Sequence, residues 1–107
     1  MAQEFRLEYT HQFWEDISEA ITYIARKLEN PTAAQNLKDD AETEILKRAS
    51  APLSFAPYYT DPATGDVYYP IYVKNFIAFY VVIGDVMEVR RFVYGKRNMV
   101  DALSAEG

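Results

Sequence analysis

Arg90, Arg91, Lys96 and Arg97 crowd four cations into one short stretch with no acid among them. On a chain whose formal net charge is -5, such a concentration implies an anion to be met. The chemistry open to it is binding of phosphate or carboxylate groups, and stabilisation of charge that develops on a phosphate in a transition state. Tyr94 lies inside the run, and Tyr72 and Lys74 stand upstream of it. A tyrosine offers both a phenolic proton and a ring on which a base can stack. Lys96 and Arg97 follow Gly95, where the backbone is free to approach a ligand. General acid–base work at a phosphate would also need a base, and no residue near the cations fills that role. His11 stands apart from them.

These residues need a frame. Between Val67 and Tyr94 the chain reads VYYPIYV, KN, FIAFYVVI, GD, VMEVRRFVY. Three stretches rich in Val, Ile, Phe and Tyr, parted by two short polar breaks, predict an antiparallel meander. Gly84-Asp85 suits a tight hairpin that demands positive φ. Upstream, Phe5-Arg6-Leu7-Glu8-Tyr9 alternates as a half-buried strand does. Thr10 is placed to cap a helix whose inner face carries Phe13, Trp14, Ile17, Ile21, Ile24 and Leu28. Asn30-Pro31 breaks this helix, and Thr32 is the expected cap of a second one bearing Ala34, Leu37, Ala41 and Ile45. Asp39, Asp40, Glu42 and Glu44 then form its solvated face. The expected architecture is α+β in the order β-α-α-β-β-β, one domain over residues 1–107. Its helical hairpin packs on one face of the sheet.

Strand geometry sorts the two adjacent arginines. Neighbours on a strand point to opposite faces, which groups Arg91 with Met87, Val89 and Val93 beneath the helices. Arg91 is then expected to pair with an acid of the first helix, Asp16 or Glu15, because a buried charge persists mainly when paired. Arg90 falls on the other face with Glu88, Phe92 and Tyr94.

Composition closes off several classes. Half the residues are apolar, which excludes a disordered chain. With no cysteine and one histidine, thiolate chemistry and a zinc site are excluded, and no metal or other cofactor is expected. MAQEFRLEY has no basic start or apolar core, so no signal peptide is expected, no run is long enough for a membrane helix, and a cytoplasmic location follows. Residues 1–66 hold six basic and twelve acidic side chains, and 67–107 hold five and four, so the cationic pole is C-terminal.

Taken in order, the strand ending Glu8-Tyr9, Trp14-Glu15-Asp16-Ile17, Asn30-Pro31 with Ala33-Ala34, Asn75-Phe76-Ile77-Ala78-Phe79-Tyr80 and Arg91-Phe92-Val93-Tyr94-Gly95-Lys96-Arg97 resemble the RelE/ParE toxins of bacterial type II toxin–antitoxin modules. The resemblance spans nearly the whole chain. It implies a growth-inhibiting toxin, neutralised by a cognate antitoxin in a hetero-oligomer. It implies a target too: the ribosome, through mRNA cleavage, or DNA gyrase. It implies a catalytic role for Arg97, with Arg90 and Tyr94 beside it and Lys96, Lys74 and Tyr72 as target contacts. Two features depart from the nuclease branch. The strand from Tyr69 to Val73 reads Tyr-Pro-Ile-Tyr-Val where that branch carries basic residues, and Ile77 stands where it carries an arginine. An alternative follows, a degenerate, non-toxic interaction module that keeps the fold and the antitoxin contact.

Overall fold

Thr10 joins the first helix to the sheet. Its Oγ1 accepts from the Phe13 N–H at 3.1 Å and donates to the Arg90 carbonyl at 2.9 Å. The computed structural model describes residues 5–96 and 99–104. Its elements are β1 (Arg6–Tyr9), α1 (His11–Thr22), a π-helical turn (Tyr23–Lys27), α2 (Pro31–Arg48), β2 (Tyr59–Thr60), β3 (Val67–Val73), β4 (Phe76–Ile83), β5 (Val86–Tyr94) and α3 (Met99–Ser104). The α+β architecture and the three-stranded meander are as expected. The sheet has the order β1-β5-β4-β3-β2 and is mixed, because β1 runs parallel to β5. Parallel neighbours share no hairpin turn, so the sequence carries no local signal of that pairing. No helix among the described residues is long and apolar enough to cross a membrane.

The junction of the two helices differs from expectation in its cap. Asn30, not Thr32, caps α2, its Oδ1 accepting from the Ala33 N–H at 3.0 Å. Pro31 decides this. It disfavours helical geometry at the residue before it, and its missing N–H costs nothing at the first helical position. One residue earlier, Glu29 closes the π turn at φ 50, a left-handed conformation that strains a residue with a Cβ. Glu29→Gly is therefore expected to raise the unfolding free energy by about 0.5–1 kcal/mol; a lower urea midpoint would contradict this.

Phe13, Ile17, Leu37, Ala41 and Ile45 of the hairpin bury against Ile71, Val73, Ala78, Tyr80, Met87, Val89 and Phe92. The opposite face carries a second cluster, in which Met99, Ala102 and Leu103 of α3 cover Ile77, Phe79, Val81 and Val93. Two expected inner-face positions, Trp14 and Leu28, lie outside the core, Leu28 at 56% exposure past the end of the π turn, while Ile21 packs at the margin of the core. Trp14 is 49% exposed, and with the half-buried Ile21 it lines a groove of about 110 Å³ between α1 and α2. The helical stripe is broader than the sheet contact it serves, so its flank stays open.

The division of β5 between the faces also departs from strict alternation. Phe79 pairs with Arg91 while Tyr80 pairs with Val89, which leaves Arg90 as an extra, bulged residue. A bulge shifts the alternation of everything beyond it. Met87 and Val89 thus belong to the hairpin cluster, as expected, but Val93 joins the α3 cluster and Phe92 the hairpin cluster. Arg90 and Arg91 do not separate to opposite faces. Arg91 lies across from Phe79 on the α3 side, and Arg90 bonds to Tyr68 on that same side.

Candidate functional site

The β3–β4 turn and the end of β5 meet at one edge of the molecule. Lys74 takes φ 53 in the turn, the left-handed geometry a tight hairpin requires. The Gly95 N–H donates to the Asn75 carbonyl at 2.7 Å, pinning the end of β5 to that turn. A Cβ on Gly95 would stand 3.0 Å from the same carbonyl oxygen, so the approach is one that glycine permits. The result is an open cleft of about 260 Å³ whose lining includes Tyr72, Lys74, Asn75, Tyr94 and Lys96. Tyr94 sets its ring edge-on to Phe76, which stacks on the buried Phe92. Tyr72 and Tyr94 remain 63% and 45% exposed, leaving ring surface for a ligand.

Of the candidate residues, the structure thus brings together Tyr72, Lys74, Tyr94 and Lys96. Arg97 lies outside the described residues. Arg90 is not in the cleft. It donates to Glu88 Oε1 at 2.6 Å, to Asp66 Oδ2 at 2.9 Å and to the Tyr68 hydroxyl at 3.2 Å. Arg91 is drawn away as well. Its Nε and Nη2 donate to the two oxygens of Asp16, at 2.7 and 3.2 Å, and its Nη1 to the Ala102 carbonyl at 2.6 Å. Asp16 also accepts from the Phe92 N–H at 3.0 Å, just past the point where β1 stops pairing with β5. A helix side chain there satisfies a strand edge that has run out of neighbour. His11, at the start of α1, pairs with Glu15 at 2.9 Å.

Two residues gained a place that their sequence context did not announce. Asp40, read as part of a solvated face, reaches Lys74 Nζ at 3.1 Å. It follows Leu37 by three positions and precedes Ala41, so it flanks the apolar stripe of α2 and borders the sheet. Arg48 stacks over the Phe55 ring at 3.5 Å and donates to the Pro70 carbonyl and the Tyr80 hydroxyl. Tyr80 donates in turn to the Pro52 carbonyl at 2.7 Å. These contacts fasten the loop after α2 and so fix the start of β3.

The Arg90 network has an electrostatic signature. The hydrogen bond from Arg90 holds the Asp66 carboxyl below the ordinary aspartate range, against a smaller opposing effect of burial. Burial pulls the Arg90 pKa down, but the bonds to Glu88, Asp66 and Tyr68 outweigh it and keep the guanidinium charged. A carboxylate with a depressed folded pKa stabilises the fold above its unfolded pKa and loses that contribution as pH falls through the folded value. Asp66→Asn should therefore lower the melting temperature at neutral pH. The gap to wild type should close on acidification below about pH 4. A gap constant with pH would refute the assignment.

No family model matches the sequence, and no curated protein is similar to it. Solved structures are more informative. A chain of the chromosomal ParDE TA system from P. aeruginosa superposes with a TM-score of 0.71 at 15% identity, covering 86% of this chain and 97% of that one. The two share a fold. YafQ from E. coli is a looser match, with a TM-score of 0.48 at 19% identity over 84% of this chain and 92% of its own. The similarity to the ParDE chain runs through the helical hairpin and the sheet alike, since so little of either chain is left over.

Proposed function

We propose that the protein is the toxin component of a type II toxin–antitoxin module, arresting growth by binding a nucleic-acid-handling machine through the cleft at the end of its sheet. The observation that carries this reading is the fold shared with the ParDE chain over nearly its whole length, together with the sequence resemblance to RelE/ParE toxins. Binding without cleavage is favoured by what surrounds the cleft. Among the described residues its lining has two lysines and two exposed tyrosines but no carboxylate or imidazole to act as a general base. Arg90, the other candidate for phosphate stabilisation, is committed to Glu88 and Asp66. DNA gyrase is then the leading target. The cation–tyrosine grouping itself favours a second reading, ribosome-dependent cleavage of message, with Arg97 stabilising charge on the scissile phosphate.

The antitoxin is proposed to wrap the outside of the domain as an extended, partly helical segment. Coupled folding lets a short chain cover a large surface in this way. The open groove at Trp14 offers it apolar contact, and Lys96 favours acidic residues at the other end of its path.

One preparation of the protein decides the target. It is assayed side by side for inhibition of gyrase supercoiling and for cleavage of ribosome-bound message. Inhibited supercoiling with intact message is the expected result. Cleaved message, abolished by Arg97→Ala, would move the assignment to the second reading, and inactivity in both assays would contradict the proposal.

A further inference from the structure

Tyr72 and Lys74 form a wall common to two clefts. On one side is the cleft with Tyr94 and Lys96, and on the other a space of about 240 Å³ bordered by Asp40, Thr43 and Glu44. The Lys74 ammonium lies on the acidic side, 3.1 Å from Asp40 Oδ2. We infer that Asp40 is an internal counter-anion that holds the Lys74 side chain away from the cleft of Tyr94 and Lys96, so that an incoming phosphate must displace it. The inference rests on the reading of that cleft as a target-contact surface.

Three observations support it. The backbone of Lys74 is fixed, by the left-handed turn and by the Gly95–Asn75 bond beside it, so only the flexible side chain can change sides. The Lys74 and Asp40 side chains are 56% and 49% exposed, so the pair is water-screened and weak enough for a ligand to break. Glu44, the other acid of that space, is engaged with Lys47 at 3.1 Å, which leaves Asp40 as the counter-charge that sets the position of Lys74. The exposed rings of Tyr72 and Tyr94 favour single-stranded nucleic acid as the occupant, since they can stack bases that an acidic peptide lacks. Lys74 would join Lys96 on the phosphates once released.

The probe is a fluorescein-labelled hexauridylate, titrated by anisotropy across a salt series against wild type, Asp40→Asn, Lys74→Ala and the double variant, each first confirmed folded by thermal melting. Asp40→Asn should bind about two- to fivefold tighter, the range set by a broken surface pair. Its log-affinity against log-salt slope should match that of wild type, because Lys74 reaches the same phosphate in both, and the slope should be shallower by about 0.7 in Lys74→Ala, one phosphate fewer neutralised on a single strand. The gain in affinity should vanish when Lys74→Ala is added. Equal affinity for wild type and Asp40→Asn would overturn the gate and leave the cleft reading standing. Absence of binding by every variant would overturn the cleft reading and the gate with it. Displacement of the oligonucleotide by hexaglutamate at equal concentration would overturn the choice of nucleic acid as the occupant.

Discussion

Replacing Asp16 with alanine is expected to lower the unfolding free energy by about 3–5 kcal/mol, the cost of stripping one partner from a buried ion pair. The side chains of Arg91 and Asp16 are only 7% and 9% exposed, so water cannot replace the lost carboxylate. Arg91 would keep its bond to the Ala102 carbonyl but lose both carboxylate oxygens, and the Phe92 N–H would lose its bond to Asp16 at the edge of β5. Three elements would loosen together, because this single carboxylate ties α1 to β5 through a guanidinium that also holds α3. Urea denaturation measures the effect. A loss below about 1 kcal/mol would put the pair in the class of exposed salt bridges and contradict the clamp.

Phe13→Ala should have a comparable effect, about 3–5 kcal/mol, by opening a cavity under the hairpin. Phe13 is 1% exposed and contacts the rings of Tyr9, Trp14 and Phe92 at centroid distances of 5.1, 5.4 and 6.1 Å. It is the point where β1, α1 and β5 share one packing unit. Trp14→Ala, one residue along, removes a larger side chain that is half in solvent, and should cost less than half as much. The contrast between neighbours is the test: equal losses would mean that the apolar face of α1 is turned the other way.

That contrast also shows where the sequence was legible. Thr10, Gly84 and the three Val/Ile/Tyr stretches announced a capped helix, a hairpin and a meander, because each acts through local conformation that the structure keeps. The helical stripe was visible too, but its width did not say which flank the sheet would cover, and Trp14 was left outside. The expected cap at Thr32 gives way to Asn30, because the backbone preference of Pro31 sets where α2 begins. The bulge at Arg90 was invisible. Strict alternation is the only rule available for a strand read alone, and an extra residue appears only once the partner strand is in place. The cleft is an intermediate case. Tyr72, Lys74, Tyr94 and Lys96 could be grouped from strand order, since the ends of β3 and β5 flank the β3–β4 turn. The reach of Asp40 to Lys74 depends on how α2 lies across the sheet, which no local pattern encodes.

The proposed function draws on the same edge of the molecule. The fold is shared with a ParDE chain, and the cleft of lysines and tyrosines is the surface through which the proposed toxin would act. The most direct measurement is growth of a bacterium after induced expression of the protein alone, beside a folded Tyr72→Ala/Tyr94→Ala/Lys96→Ala variant at matched soluble levels. The proposal predicts that the wild-type protein stops growth within a few generations and that the cleft variant does not. Undisturbed growth with abundant, folded wild-type protein would contradict it, and would leave a module that keeps the toxin fold without the toxicity.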